Sequence, residues 1–309
     1  MADVDVGRTL GLVEIGISVS LFLFGVSTIQ LRTYRSRFPD DPLRLKAFVY
    51  FVWLMSLGHI ICTLHYFWTT SLAIVRTRDP TLMLGRPPAS IPALFFLTGC
   101  IATAVQVYFV ERVRRVSEKL FFPVICWSVS LVRFTLAVVM SAVVSTTTLH
   151  EFAVHWEWLV TANWVISAFV DTMITVLLFY TLARKRRVAF KGTIKLIDRL
   201  ILTTIETGLM TSLLTLTAGL CFQFIDQTFA WLGLYLCVAR VFTNSLLATL
   251  NARLTARRLA VNLHSVDLAH QDNEHVLTSN GTKAHTVIPM ELMAIGSSSQ
   301  TQRPTGVIF

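Results

Sequence analysis

The chain has 309 residues, of which 54% are hydrophobic and only 15% are charged, and its mean hydropathy is +0.62. Soluble domains usually carry about 25% charged residues, so this composition excludes an ordinary soluble domain. The net charge of +9 would suggest nucleic-acid binding in a soluble chain, but in this chain the basic residues first have to be placed relative to a membrane.

Seven long apolar stretches follow one another along the chain. A transmembrane helix needs roughly 20 apolar residues, and the stretches of this kind are residues 7–31, 46–69, 91–110, 121–145, 159–182, 200–224 and 229–250. The sequence therefore predicts an all-α, polytopic membrane protein with seven transmembrane helices. Residues 1–6 would be a short N-terminal segment, residues 7–253 the membrane domain, and the polar residues 254–309 a disordered tail.

Basic residues are concentrated in alternate connections between these spans. The first, third and fifth connections and the start of the tail carry nineteen Lys and Arg residues, whereas the other side carries only Arg8, Arg76, Arg78 and Arg86. Cytosolic connections of membrane proteins are enriched in Lys and Arg. We therefore expect the N-terminus outside and the tail in the cytosol, with no nucleic-acid partner, and we favour the plasma membrane over an internal membrane.

Charged residues within the spans are informative because an unpaired charge at that depth costs several kcal/mol. They are Glu14, Arg133, Asp171, Glu206 and Arg240. Arg133 and Asp171 lie near the middle of the fourth and fifth spans, and we expect them to pair. Glu206 and Arg240 lie at similar depths in the sixth and seventh spans, and we expect a second pair there. For Glu14 the nearest basic candidates are His59 and His65 of the second span, which leaves a protonatable Glu–His couple as one alternative.

Uncharged polar residues extend these positions along one face of three consecutive helices. They recur at steps of four or seven, as Asn163, Ser167, Asp171 and Thr175, then Thr203, Thr207, Thr211 and Thr215, then Arg240, Asn244 and Asn251. The pattern predicts a polar bundle interior. Two interpretations stay open: the polar groups hold the helices together, or they line a wet pocket that binds or moves something.

The chain lacks the residues that two classes of seven-helix protein require. A retinal protein needs a Schiff-base lysine in its last helix, and seven-helix zinc hydrolases need histidine ligands there, but residues 229–250 contain neither residue type. We recognise no nucleophile with a base and no metal-ligand cluster. We therefore expect no enzymatic activity, no catalytic residue, no metal and no cofactor.

Several motifs resemble a large family of seven-helix membrane proteins from mushroom-forming fungi that is catalogued only as a domain of unknown function. The matching stretches are Leu23–Gln30, Tyr34, Phe38–Asp41, Val52, Trp53, His59, Val105–Phe109, Arg112, Val113, Asp171, Asp198–Ile201, Ile205–Leu209 and Asn244–Arg253. The resemblance runs from about residue 10 to residue 255. It implies the same architecture and transfers no activity.

The polar interior suggests a function that involves binding. We predict a receptor-like or sensor protein with an outward-facing polar pocket bounded by the fourth to seventh spans, and with basic connections available to a cytosolic signalling partner. The residues predicted to form this network are Arg133, Asp171, Glu206, Arg240, Asn244, Asn163, Glu14 and His59. One alternative is a transporter or proton-coupled carrier that uses Asp171 and Glu206; another is a membrane scaffold without a ligand. The lipid bilayer is the partner that composition implies, and the oligomeric state stays open.

Overall fold

The computed structural model describes residues 6–77, 85–117, 120–187, 191–224 and 230–253. Within them the helices are α1 Val6–Arg37, α2 Leu43–Thr77, α3 Ser90–Ser117, α4 Phe121–Thr146, α5 Leu149–His155, α6 Glu157–Arg186, α7 Lys191–Phe224 and α8 Ala230–Arg253. Seven of these described helices, all except α5, are long and apolar enough to cross a membrane. The chain is a multi-pass membrane protein. The predicted disordered tail of residues 254–309 lies outside the described residues.

The observed helices are longer than the predicted spans. The first continues to Arg37 instead of ending near residue 31, and the second continues to Thr77 instead of ending near residue 69. Backbone hydrogen bonding continues after the apolar run stops, because Arg and Lys side chains can reach the polar interface from a helix that is still inside it. Apolar length therefore predicts where a helix crosses the membrane better than where it ends.

The short helix α5 lies in the connection between the fourth and fifth predicted spans, outside every apolar stretch. Thr148 caps it: the Glu151 N–H donates to the Thr148 hydroxyl at 3.1 Å, and the Thr148 N–H donates to the Glu151 carboxylate at 3.0 Å. These bonds lower the pKa of Glu151 below its ordinary value. The sequence signal was the Thr148-x-x-Glu151 spacing, which is a capping box.

One end of the bundle, which we call the basic end, carries the end of α8 and, because the membrane helices alternate in direction, the ends of α1, α3 and α6. The Arg253 guanidinium at the end of α8 is 2.7 Å from the carboxylate of Asp41 between α1 and α2, and it stacks 4.7 Å from the ring centroid of Phe38. Tyr34 donates to the same carboxylate at 2.9 Å. This cluster joins the first and last membrane helices at the basic end.

The last helix, α8, occupies the centre of the bundle. About 78% of its apolar segment is buried, against 22% for α7. Its Tyr235 ring packs on Phe95 of α3 and Trp164 of α6, with centroids 4.8 and 5.7 Å apart. Further along, Arg240 contacts Ser56 of α2. Because α8 is surrounded by other helices, its polar residues face different neighbours on different sides.

A ladder of hydrogen bonds joins α8 to α1 at steps of seven residues. The Cys237 thiol contacts the Gly16 carbonyl at 3.3 Å, and the side-chain amides of Asn244 and Asn251 donate to the carbonyls of Leu23 and Gln30 at 2.9 and 3.0 Å. Helices that run in the same direction stay in contact at a spacing close to seven residues. Asn244 and Asn251 therefore serve this helix–helix contact.

Candidate binding cavity

A cavity lies between α3, α6, α7 and α8, in the half of the bundle nearer the basic end. Its polar lining is Gln106 of α3, Asp171 and Thr175 of α6, Thr204, Thr207 and Thr211 of α7, and Ser245 of α8. The space open to water in it is about 30 Å³, and one water molecule needs roughly 10–15 Å³ of such space, so it has room for about two. The third span lines it where the fourth was expected, and it lies away from the end predicted to face outward.

Asp171 is the charged residue of the cavity. Its side chain is only 5% exposed, and one carboxylate oxygen, Oδ1, accepts a hydrogen bond from the Gln106 side-chain amide at 2.8 Å. The other oxygen, Oδ2, is buried and has no hydrogen-bond partner among the described residues. A buried carboxylate without a full set of partners is unfavourable in a membrane. Asp171 therefore retains an acceptor that a bound species could use.

Arg133 lies close to Asp171, but the expected ion pair does not form. Although both residues are described, no ion pair joins them; the Arg133 Nε–H instead donates to the Ser167 hydroxyl at 3.0 Å. The guanidinium carbon is 5.5 Å from the ring centroid of Phe242, and Nη1 has no partner among the described residues. The two charges still interact through space.

The ion pair is absent because uncharged neighbours bind each charged group. Ser167 is one turn before Asp171 on the same face of α6, and its hydroxyl accepts the hydrogen bond of the Arg133 guanidinium. Gln106 holds one oxygen of the carboxylate from α3. Matching depth brought the two charges to one level of the bundle, as the sequence predicted, but the hydrogen bonds of uncharged neighbours decided their contacts.

Close packing of α6 against α7 limits the size of the cavity. Gly208 of α7 faces Thr175 of α6, and a Cβ atom built on Gly208 would lie 2.6 Å from the Thr175 Cγ2 and 2.9 Å from its Cβ. Real carbon atoms do not approach so closely, so any side chain at this position would force the two helices apart. The glycine allows the hydroxyl-bearing faces of the two helices to meet beside Asp171.

The predicted pair of Glu206 and Arg240 is wrong. Thr203, Thr211 and Thr215 of α7 are buried against the bundle, and Glu206, which lies on another side of that helix, is exposed on the bundle surface. Arg240 is completely buried on the central helix, where it points to Ser56 of α2. The two residues share a depth but face different directions.

The alternative couple of Glu14 and His59 is also not formed. Glu14 is exposed on the surface of α1. His59 is fully buried, and its two ring nitrogens contact the hydroxyls of Thr98 and Thr63 at 3.1 and 3.4 Å. His65 contacts Ser90 at 3.1 Å. His59 is therefore held by neutral hydroxyl groups.

Of the remaining predicted residues, Asn163 is buried two turns from Asp171 on the same helix, and its side-chain oxygen has no partner among the described residues. Asn244 lies in the α1–α8 ladder and not in the cavity lining.

Gln106 was not among the predicted network residues, although it lies in the Val105–Phe109 stretch that carries the family resemblance. It lies in the third span, and its amide holds Asp171. A glutamine carries no charge, so the depths of the charged residues gave no reason to select it. The cost of burying an unpaired amide is the signal that could have identified it.

Comparison with known families matches part of this region. The model of a family described as a "Family of unknown function (DUF6534)" matches residues 167–255. The match covers Asp171, α7, α8 and therefore most of the cavity lining, and its description names no activity. It agrees with the expected resemblance to a domain of unknown function. Comparisons with curated proteins and with solved structures give no match.

Proposed function

We propose that the protein is a receptor-like membrane protein that binds a small polar ligand in the cavity beside Asp171. The observation that carries this proposal is the buried Oδ2 oxygen of Asp171, which has no partner within the described part of the chain although its side chain lines a cavity. A ligand that contacts this oxygen would offset the cost of burying the charge. We place the N-terminus outside and the protein in the plasma membrane.

A ligand changes a receptor only if it favours one of two arrangements. Arg133 supplies a candidate for the second arrangement, since it is held by Ser167 within electrostatic range of Asp171. With the ligand bound, Asp171 contacts the ligand and Arg133 stays on Ser167. Without it, the guanidinium can turn to the carboxylate and move α4 relative to α6. The basic connections at the ends of these helices would transmit the change to a cytosolic partner.

Accessibility of single cysteines tests this proposal. Thr175, Thr204 and Thr207 are each replaced by cysteine in a full chain without its five native cysteines. Silver ion, a membrane-impermeant thiol reagent small enough for a cavity with room for about two water molecules, is applied from each side of the membrane. We expect labelling from the basic-end side, because all three positions lie between Asp171 and that end. Val176→Cys is the matched control: Val176 follows Thr175 directly but is 57% exposed on the bundle surface, and in lipid it should stay unlabelled.

The other outcomes separate the competing functions. Labelling of the same positions from both sides would indicate alternating access and favour a carrier that uses Asp171. The version of that carrier that also uses Glu206 has little support, since Glu206 lies on the bundle surface. If no cavity position is labelled from either side, the polar interior is dry and a scaffold replaces the receptor.

A further inference from the structure

The threonines of the cavity have already donated their hydroxyl hydrogens. Each bonds a backbone carbonyl of its own helix: Thr175 that of Asp171 at 2.7 Å, Thr204 that of Leu200 at 2.7 Å, Thr207 that of Thr203 at 2.8 Å, and Thr211 that of Gly208 at 3.0 Å. A carbonyl can only accept, so the hydroxyl must be the donor in every case. What these side chains can still offer to a ligand is oxygen lone pairs.

The other polar groups of the lining have the same character. Asp171 Oδ2 and Gln106 Oε1 are buried acceptors without partners among the described residues, and the Gln106 amide already donates to Asp171. Ser245 makes no such bond among the described residues, so its hydroxyl can donate or accept. The polar groups of the cavity are therefore mainly acceptor oxygens, one of them on a carboxylate, and the rest of the lining, which includes Phe109, Ile174, Leu178 and Phe242, is apolar. A water molecule has only two hydrogens to donate, and it cannot satisfy such a lining as fully as a cation can.

We infer that the ligand of this cavity is a small cation held by oxygen atoms, either an alkali metal ion or an ammonium group. Hard cations prefer carboxylate, carbonyl and hydroxyl oxygens, and an ammonium group has donors and no acceptor. The open space of about 30 Å³ suits a species of the size of water. This inference rests on the proposed function, because it assigns a ligand class to the same cavity.

Of the two buried arginines in the described part of the chain, only Arg133 interacts with the carboxylate of the cavity. Arg240 is turned away, towards Ser56 on the far side of α8. Arg133 faces Asp171 from α4 and interacts with it through space, so it opposes a cation at the same carboxylate. Arg133 and the cation then compete for Asp171. Removing the arginine charge should strengthen cation binding, whereas it would abolish binding of an anion or of the carboxylate end of a zwitterion.

Thermal unfolding of the full chain in lipid nanodiscs tests the inference. Sodium, potassium, ammonium or methylammonium chloride replaces choline chloride at constant ionic strength; choline has no N–H donor and is much larger than water. We expect a saturable rise of the unfolding midpoint with at least one of the small cations, because a ligand that binds only the folded state stabilises it. A preference for sodium or potassium over methylammonium would assign the site to an alkali ion, and the reverse would assign it to the ammonium group of an organic ligand.

Variants make the assignment specific to the cavity. Asp171→Asn should remove the cation dependence, and Thr207→Val, which loses one oxygen at nearly the same shape, should weaken it in a chain that still folds. In Arg133→Gln, the rise of the midpoint should saturate at a cation concentration roughly 10-fold lower than in the unchanged chain, or lower still. The reason is that a nearby like charge is removed. Glu206→Gln, an exposed acid on the same helix as Thr207, is the matched control and should leave the dependence unchanged.

The results that would overturn the inference differ from those that overturn the proposed function. Cavity cysteines that react, combined with a midpoint that no small cation raises above choline, would reject the cation and keep a ligand cavity. If Arg133→Gln abolishes the dependence, the arginine does not compete with the cation, and the assignment of the cation to the Asp171 carboxylate is overturned. If the cysteines are also unreactive, both proposals fail together.

Discussion

Two buried arginines of the bundle differ in how their charge is accommodated. Arg133 has Asp171 within electrostatic range. Arg240 is completely buried, donates to the Ser56 hydroxyl, and lies with its guanidinium carbon 5.6 Å from the ring centroid of Phe24. Its Nε and Nη2 atoms have no partner, and no carboxylate forms an ion pair with it, among the described residues. One hydrogen bond and one ring contact are weak compensation for a buried charge.

This imbalance predicts that Arg240→Met does not destabilise the protein. Methionine keeps an unbranched chain against Phe24 and removes the charge, and replacing a poorly compensated buried charge by an apolar group is often neutral or stabilising by about 1–4 kcal/mol. Denaturant unfolding in micelles measures the change. Ser56→Ala, which removes the one hydrogen-bond partner and keeps the charge, should destabilise by about 1–3 kcal/mol. A large loss of stability in Arg240→Met would mean that the arginine binds an anion in the native protein.

At the scale of elements, the contact between α1 and α8 depends on two glycines as well as on the hydrogen-bond ladder. Gly16 of α1 meets Gly233 of α8, and a Cβ atom built on Gly16 would lie 2.5 Å from the Gly233 Cα. The obstacle is backbone, so no side-chain rotation can relieve it. Small residues that let two backbones approach closely are a common basis of helix association in membranes.

Gly16→Ala should therefore destabilise the bundle by about 1–3 kcal/mol, because the two helices must move apart and the bonds from Cys237 and Asn244 must lengthen. Gly25→Ala is the matched control on the same helix, since a Cβ at Gly25 meets nothing within 4 Å. Alanine there should be neutral or stabilising by up to about 1 kcal/mol. Thermal unfolding of the two variants side by side gives the comparison, and equal midpoints would contradict the close α1–α8 contact.

For the whole molecule, the sequence predicted the spans and the depth of the charges but not their directions. A bilayer demands a fixed apolar length, so the seven spans follow from composition alone. Direction is harder because lipid is as apolar as a helix interface, and hydrophobic pattern does not tell one side of a membrane helix from the other. Steps of four placed Ser167 and Asp171 on one inner face correctly. Depth alone could not show that Glu206 lies on the outer surface of the bundle, or that Arg240 on α8 points towards α2.

The orientation of the whole bundle in the membrane is a further prediction, and it depends on the charges at the basic end. Arg186 with Asp198, and Arg253 with Asp41, form ion pairs at 2.6 and 2.7 Å at the basic end, yet the acids there are too few to neutralise the nineteen basic residues assigned to that side. The remaining positive charge should keep the basic end in the cytosol.

Glycosylation reports which end is outside. An N-glycosylation acceptor in a polar insert between Thr77 and Gly85, at the end opposite the basic end, should acquire a glycan and shift in mobility. The same insert between Ser117 and Leu120 should not. The tail contains a natural acceptor sequence, Asn280-Gly281-Thr282, which should also stay without a glycan. The paired inserts control for acceptor quality, because they differ only in the end of the bundle that carries them. A glycan at Asn280 with none between Thr77 and Gly85 would mean that the protein has the opposite orientation. The cavity beside Asp171 would then lie in the outer half of the membrane, within reach of an external ligand.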